Sequence, residues 1–423
     1  MLKFHRYHIL ALLYIVMALY IVILRKPFVI TLFDAMLLSI LVFDNRSIKF
    51  TSKIPVDRNL VAYLFTLFLM LIIHMDLASS LKEIIQMIEV YFFYIILIAY
   101  AGNYSNANSD HHLKFLRAFT YILLISLVIS FVVDYTSPIK RNLLNFQAIP
   151  LFIIVVLSFF YDSKIRIPLL ENKFYPAVIS FFSLAVIYYE NSRAALLFFV
   201  IFLIMLSFKI KKRYVLGIVT VALASISLFS FVVDQTQSES FGSLRYTSDG
   251  RQIYTENLSV SATRGLTSLQ VIFENLDDII EFVRAPDAGI TSGNIYGSNY
   301  ERLFQVKFVY QAFVDSPLIG LGPNKAAEIA NVHGIMLVTL ADFGLIGLFI
   351  LFLYIFNSFR KVRRIARTND LYDMFLYYYF IYSVIVLAFV SAGLLPLIPF
   401  IFISTLIHIR YHSLLLKHSS ADN

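Results

Sequence analysis

The chain has no cysteine, no tryptophan and few charges. Without cysteine there is no disulfide scaffold, no CxxC redox pair and no Cys-ligated zinc or iron–sulfur centre. Asp, Glu, Lys and Arg make up 15% of the residues, where soluble domains carry roughly a quarter. No HExxH stretch and no DxD pair occurs, so a zincin and a metal-dependent glycosyltransferase both lack their ligand sets. No small-x-small cleavage site follows the basic start at Lys3 and Arg6, so the first apolar run is expected to stay in place. No internal repeat stands out. The missing tryptophan, beside abundant Ile, Lys, Phe and Tyr, suggests a low-GC genome.

What is present is apolar. Of 423 residues, 59% are hydrophobic, among them 41 Phe and 27 Tyr. A water-soluble domain of this length does not build a core large enough to bury them. Composition therefore excludes an ordinary soluble enzyme and a disordered chain, and points to an all-α polytopic membrane protein. Twelve apolar segments are long enough, some only with their flanks, to cross ~30 Å of hydrocarbon as helices. They are 8–24, 27–43, 59–77, 84–100, 115–133, 143–161, 174–190, 194–208, 214–233, 334–357, 372–391 and 395–411. They lack the alternation of a barrel strand, and only helices or closed barrels satisfy their backbone in lipid.

Most Lys and Arg fall on one side if both termini are cytoplasmic, in the stretches 46–58, 114–117, 164–173, 209–213 and 360–367. The KIKKR and RKVRRIAR runs then read as anchors beside anionic lipid and not as nucleic-acid contacts. The chain divides into 1–233, carrying nine spans, a polar outer loop 234–330, and 331–423, carrying three spans and a cytoplasmic tail. Acidic residues outnumber basic ones in the loop. Two amphipathic helices are predicted there. One, over 265–283, puts Leu269, Ile272, Phe273, Leu276, Ile279 and Ile280 on one face. The other, over 298–317, groups Leu303, Phe304, Val306, Val309, Ala312 and Phe313.

Several side chains could carry chemistry. Asp34 and Glu89 sit inside spans, where a charge costs roughly 2.5–3.5 kcal/mol; a polar contact or a shallow position would explain both. Most histidines, including His111, His112, His408 and His412, read as snorkelling interfacial groups. Arg193 in NSRAALLF begins a span on the outer side, where arginine is disfavoured, with Glu190 three residues earlier as a partner. The simpler reading is an interfacial ion pair. The loop arginines Arg245, Arg251, Arg264, Arg284 and Arg302 are either solvated surface or phosphate ligands, since a guanidinium stays charged and bonds phosphate in pairs. Arg302 leads a helix that ends at SPLIGLGPN (316–324), where Gly320, Gly322 and Asn324 form a turn that lets backbone approach a ligand. His333 stands at the outer end of a span. Asp342 follows nine residues on, about 13.5 Å along a helix, too deep to pair with it directly. Gly344 and Gly347 suggest a small-residue stripe for close helix packing.

The H-x8-D-x-G-x2-G spacing of His333, Asp342, Gly344 and Gly347, preceded by PLIGLG at 317–322 and by NSRAALLF at 191–198, resembles the O-antigen polymerase and ligase superfamily (Wzy/WaaL-like). The motifs cover about 188–200 and 298–349; the first 180 residues match only in hydropathy. Gly334 follows His333 where Asn is common, and Asp342 stands where Glu is more usual. The resemblance implies a GT-C-like, metal-independent glycosyltransferase of the bacterial cytoplasmic membrane, needing no cofactor. Its donor would be an oligosaccharide on undecaprenyl diphosphate, with a flippase and a chain-length regulator as partners. Arg193, Arg302 and His333 match the catalytic positions, Arg251, Arg264, Gly320, Gly322 and Asn324 would contact substrate, and Glu190 and Asp342 would support them. Two arginines can stabilise charge on the leaving diphosphate without a metal. The histidine can take the acceptor proton or donate to the diphosphate. A polymerase of O-antigen or capsule repeat units is the leading expectation. The alternatives are a ligase to lipid A core and a lipid-linked oligosaccharide flippase.

Overall fold

The computed structural model describes residues 56–74, 94, 109–136, 145–160, 174–189, 193–208, 245–246, 252–253, 280–281, 283–284, 298–322, 325–330, 332, 334–368, 370–389 and 397–421. Among these the architecture is helical, apart from one short antiparallel pair, β1 (Arg245–Tyr246) with β2 (Gln252–Ile253). The helices are α1 (Arg58–His74), α2 (Ser109–Thr136), α3 (Asn145–Phe160), α4 (Phe174–Tyr189) and α5 (Arg193–Ser207). After the loop come α6 (Ser298–Asp315), α7 (Lys325–Ala330), α8 (Ile335–Ile365), α9 (Leu371–Phe389) and α10 (Leu397–Ala421). Three of them, α2, α8 and α9, are long and apolar enough to cross a membrane; α1, α3, α4, α5 and α10 hold shorter apolar stretches.

Eight expected segments thus coincide with helices. The segments 8–24, 27–43 and 214–233, and 84–100 except Tyr94, lie outside the described residues, as do Asp34 and Glu89. Of the predicted loop helix 265–283, only Ile280, Glu281 and Val283 are described, and they are helical.

Local signals set the boundaries. Asp57 caps α1: its Oδ1 accepts from the Asn59 N–H at 3.1 Å. Asp370 caps α9 through Tyr372 N–H at 3.4 Å, and Asp373 lies in that helix's first turn, where a carboxylate suits the dipole. The 31 residues of α8 would run about 46 Å if straight, well past the hydrocarbon thickness. Its basic last turns, RKVRRI, provide the surplus.

α8 and α9 are the hubs. α8 packs on α1, α6, α7, α9 and α10; α9 packs on α2, α3, α5, α8 and α10. Rings fill the contacts: Phe198 meets Tyr382 at 5.2 Å between centroids, Phe202 meets Tyr378 at 4.8 Å, and Phe359 meets Phe380 at 6.4 Å. These pairings make α5 and α8 both antiparallel to α9. The first residues of α5 and α8 therefore lie at one end of the bundle, and the start of α9 lies at the other.

The end around α9's start holds two buried ionic groups. Lys361 Nζ and His408 Nδ1 meet Asp57 Oδ2 at 2.6 and 3.2 Å. Arg410 grips Asp373 with two bonds of 2.7 and 2.8 Å, and Thr368 donates to the same carboxylate. Burial opposes ionisation of Asp57, but the bond from His408 and the charge of Lys361 outweigh it and hold the carboxyl well below the usual range. Burial, aided by the neighbouring Asp373, pushes Asp370 up. The snorkelling reading of two histidines is overturned. His408 is buried in this network, and His112 is buried and stacked on Tyr372 at 4.6 Å. A buried carboxylate within reach and an aromatic face give each ring a better site than the interface. Lys361, read as an anchor, is likewise turned inward.

Candidate functional site

The opposite end is organised by a break in α8. Gly344 adopts φ 62°, ψ −162°, outside the helical region. Such a break removes the bonds from the N–H groups of residues 345 and 346 to the carbonyls of 341 and 342. The turn 316–322 satisfies all four of these groups. Leu321 and Gly322 donate to the carbonyls of Ala341 and Asp342 at 2.9 and 3.0 Å, and Leu345 and Ile346 donate to those of Pro317 and Leu318 at 2.9 and 3.2 Å. Non-helical backbone at membrane depth is tolerated where protein covers it in this way.

The docking is close. A Cβ on Gly320 would lie 2.4 Å from the Asp342 carbonyl carbon, and one on Gly344 2.4 Å from the Leu318 carbonyl. This corrects one expectation and adds an observation. Gly344 is a helix break and not part of a packing stripe. Gly320 and Gly322 bring the turn against the chain itself, with Gly322 lying on the His74 ring.

Asp342 is buried beside the break, and its Oδ1 accepts from Ala326 N–H at 2.8 Å, tying α7 to α8. His74, the last residue of α1, donates from Nε2 to the Ile319 carbonyl at 3.2 Å. Sequence reasoning passed over His74; a histidine ending an otherwise apolar span was the available signal. Val309 and Ala312 of α6 pack with Ala326, Ala330, Val332, Val338 and Ala341, so α6, α7 and the first part of α8 form one unit.

The inner face of α6 differs from the one expected. Gln305, Lys307, Val309 and Ala312 are buried, whereas Phe304 and Val306 are exposed. The inner row 305, 309, 312 has helical spacing, but its polar members hid it from a hydrophobicity reading.

Arg193 is the first residue of α5. Through the antiparallel pairings above, it lies at the same end of the bundle as the Gly344 break. Arg302 lies in α6, two turns before Val309. His333, Asn324, Arg251, Arg264 and Glu190 lie outside the described residues. The described chain passes directly on both sides of His333, with Val332 and Gly334 both buried. The structure thus joins Gly320, Gly322 and Asp342 in one contact and adds His74 to them. No described protein family matches this chain, and no curated protein does.

Proposed function

We propose that this membrane protein is a polysaccharide polymerase, a GT-C-like glycosyltransferase with about twelve spans. On this reading it joins undecaprenyl-diphosphate-linked repeat units at the outer face of the bacterial cytoplasmic membrane. The observation that carries the reading is the docking of the 316–322 turn into the Gly344 break. It fixes the helix that bears Arg302 against the segment that bears His333, at the end of the bundle where Arg193 begins α5. By the charge pattern, that end is the outer one.

In the proposed reaction the acceptor hydroxyl oxygen attacks the donor sugar C1. The C1–O bond to the diphosphate breaks, and its electron pair leaves with the diphosphate. Arg193 and Arg302 stabilise the developing charge. His333 takes the hydroxyl proton, or donates to the diphosphate while the proton passes to solvent.

Deleting the gene and separating the surface glycan on a gel tests the reading. Single repeat units left on the lipid anchor support a polymerase. Long glycan accumulating on undecaprenyl diphosphate would identify a ligase instead. A flippase is the second reading with an observation in its favour, because transporters place ligands at interrupted helices and α8 is interrupted. Lipid-linked units trapped on the inner leaflet would establish it.

A further inference from the structure

Helices α2, α3 and α4 pack side by side through α3, and they carry buried polar groups that have no partner among the described residues. Gln147, in the first turn of α3, is fully buried, and neither its Oε1 nor its Nε2 has a hydrogen-bond partner among the described residues. The hydroxyls of Ser126 and Ser130 on α2 and of Ser180 and Ser183 on α4 are also buried and unpaired. Other buried or half-buried hydroxyls, on these helices and beyond them, bond back to their own helix, as Thr120, Ser158, Ser383 and Ser413 do, with Ser358 of α8 an exception. The four serines of α2 and α4 depart from that pattern. Pro150 within α3 lacks the N–H that would bond the carbonyl of residue 146, beside Gln147.

The groups share a level. Phe131 of α2 meets Phe182 of α4 edge to face at 5.8 Å, which sets Ser130 and Ser183, their neighbours in sequence, at about the same height along the bundle. Gln147 lies where α3 begins. Among the described buried residues of these helices only His112 is ionisable, and it stacks on Tyr372 at the far end of α2.

Unpaired amide and hydroxyl groups are the least tolerable feature of a lipid-embedded bundle unless something satisfies them. We propose that this seam binds an uncharged, hydroxyl-rich ligand, the ring of a saccharide, entering from the end where α3 begins. The amide of Gln147 can donate to one hydroxyl and accept from its neighbour. The serines serve either role, and Phe131 and Phe182 offer apolar faces to ring C–H groups. The site stands on packing and does not depend on the glycosyl-transfer reading.

Because the chain has no cysteine, Ser130→Cys and Ser183→Cys each place a single thiol in the seam. The purified full-length protein is labelled with a small polar thiol reagent, alone and with glucose, galactose or N-acetylglucosamine, and with glycine betaine as a non-hydroxylic control. Both thiols are expected to react, while Leu184→Cys on the apolar face of α4 stays unlabelled. At least one saccharide slows the reaction severalfold and betaine does not. Gln147→Leu abolishes that protection without lowering the thermal unfolding midpoint. Labelling that no saccharide slows would reduce the seam to bound water and overturn the proposal. Unreactive thiols, or a lowered midpoint in Gln147→Leu, would overturn it as well.

Discussion

At the scale of single residues, the account turns on what a side chain's shape adds to its charge. A guanidinium bonds a diphosphate through two parallel N–H groups, and an ammonium offers only a point charge. Arg193→Lys is therefore expected to lose about 1.5–3 kcal/mol of charge-assisted bonding, which slows transfer about 10- to 100-fold. Glycan chain length in the complemented strain, with protein abundance unchanged, reads this out; normal length in the lysine variant would show that charge alone suffices. At the other end of the bundle, the Asp57 carboxyl is held below its usual range. Its contribution is complete above the unfolded value of about 3.9 and is lost as pH falls through the folded value. The stability advantage of the wild type over Asp57→Asn, measured by thermal unfolding in detergent, is expected to stay level from neutral pH to about pH 4 and to fall below it. An advantage that fades well above that range would contradict an ionised Asp57 held beside Lys361 and His408.

At the scale of elements, the break in α8 is the decisive feature. Gly344 sits in a region of φ and ψ that is open essentially to glycine alone, so Gly344→Ala costs about 1–3 kcal/mol in backbone strain. The added Cβ would also drive Leu318 out of its contact. The variant is expected to release the 316–322 turn and abolish long glycan, with cysteines placed in the turn becoming reactive from outside. Full activity in Gly344→Ala would show that the docking is dispensable. Sequence alone marked this glycine, but for the wrong reason. A small residue in an apolar run reads equally as a packing stripe or a break, and only the preceding turn 316–322, whose bonds replace those lost, decides between them. The amphipathic reading of α6 found the helix and its buried Val309 and Ala312, but it put exposed Phe304 and Val306 on the inner face and missed Gln305 and Lys307, which carry no hydrophobic signal.

At the scale of the whole molecule, hydropathy located eight of the described helices, three of them long and apolar enough to cross a membrane. It could not foresee how they meet. His408 and Lys361 are 47 residues apart in the chain, and only packing makes them neighbours around Asp57. The two ends are chemically distinct: one holds the ionic groups of Asp57 and Asp373, the other the docked turn, and α1 runs about 25 Å between them. Reporter fusions at residue 250 are expected to be active outside the cytoplasm, and fusions at residues 212 and 421 inside it. A cytoplasmic signal at residue 250 would reverse the orientation. The central claim is that Arg193, Arg302 and His333 share one cavity at the outer end, and paired cysteines in this cysteine-free chain test it most directly. A bifunctional thiol reagent spanning about the width of a diphosphate is expected to bridge Arg302→Cys with His333→Cys, and Arg193→Cys with His333→Cys. If every single thiol is labelled from outside yet neither pair is bridged, the three side chains do not share a site and the account is contradicted.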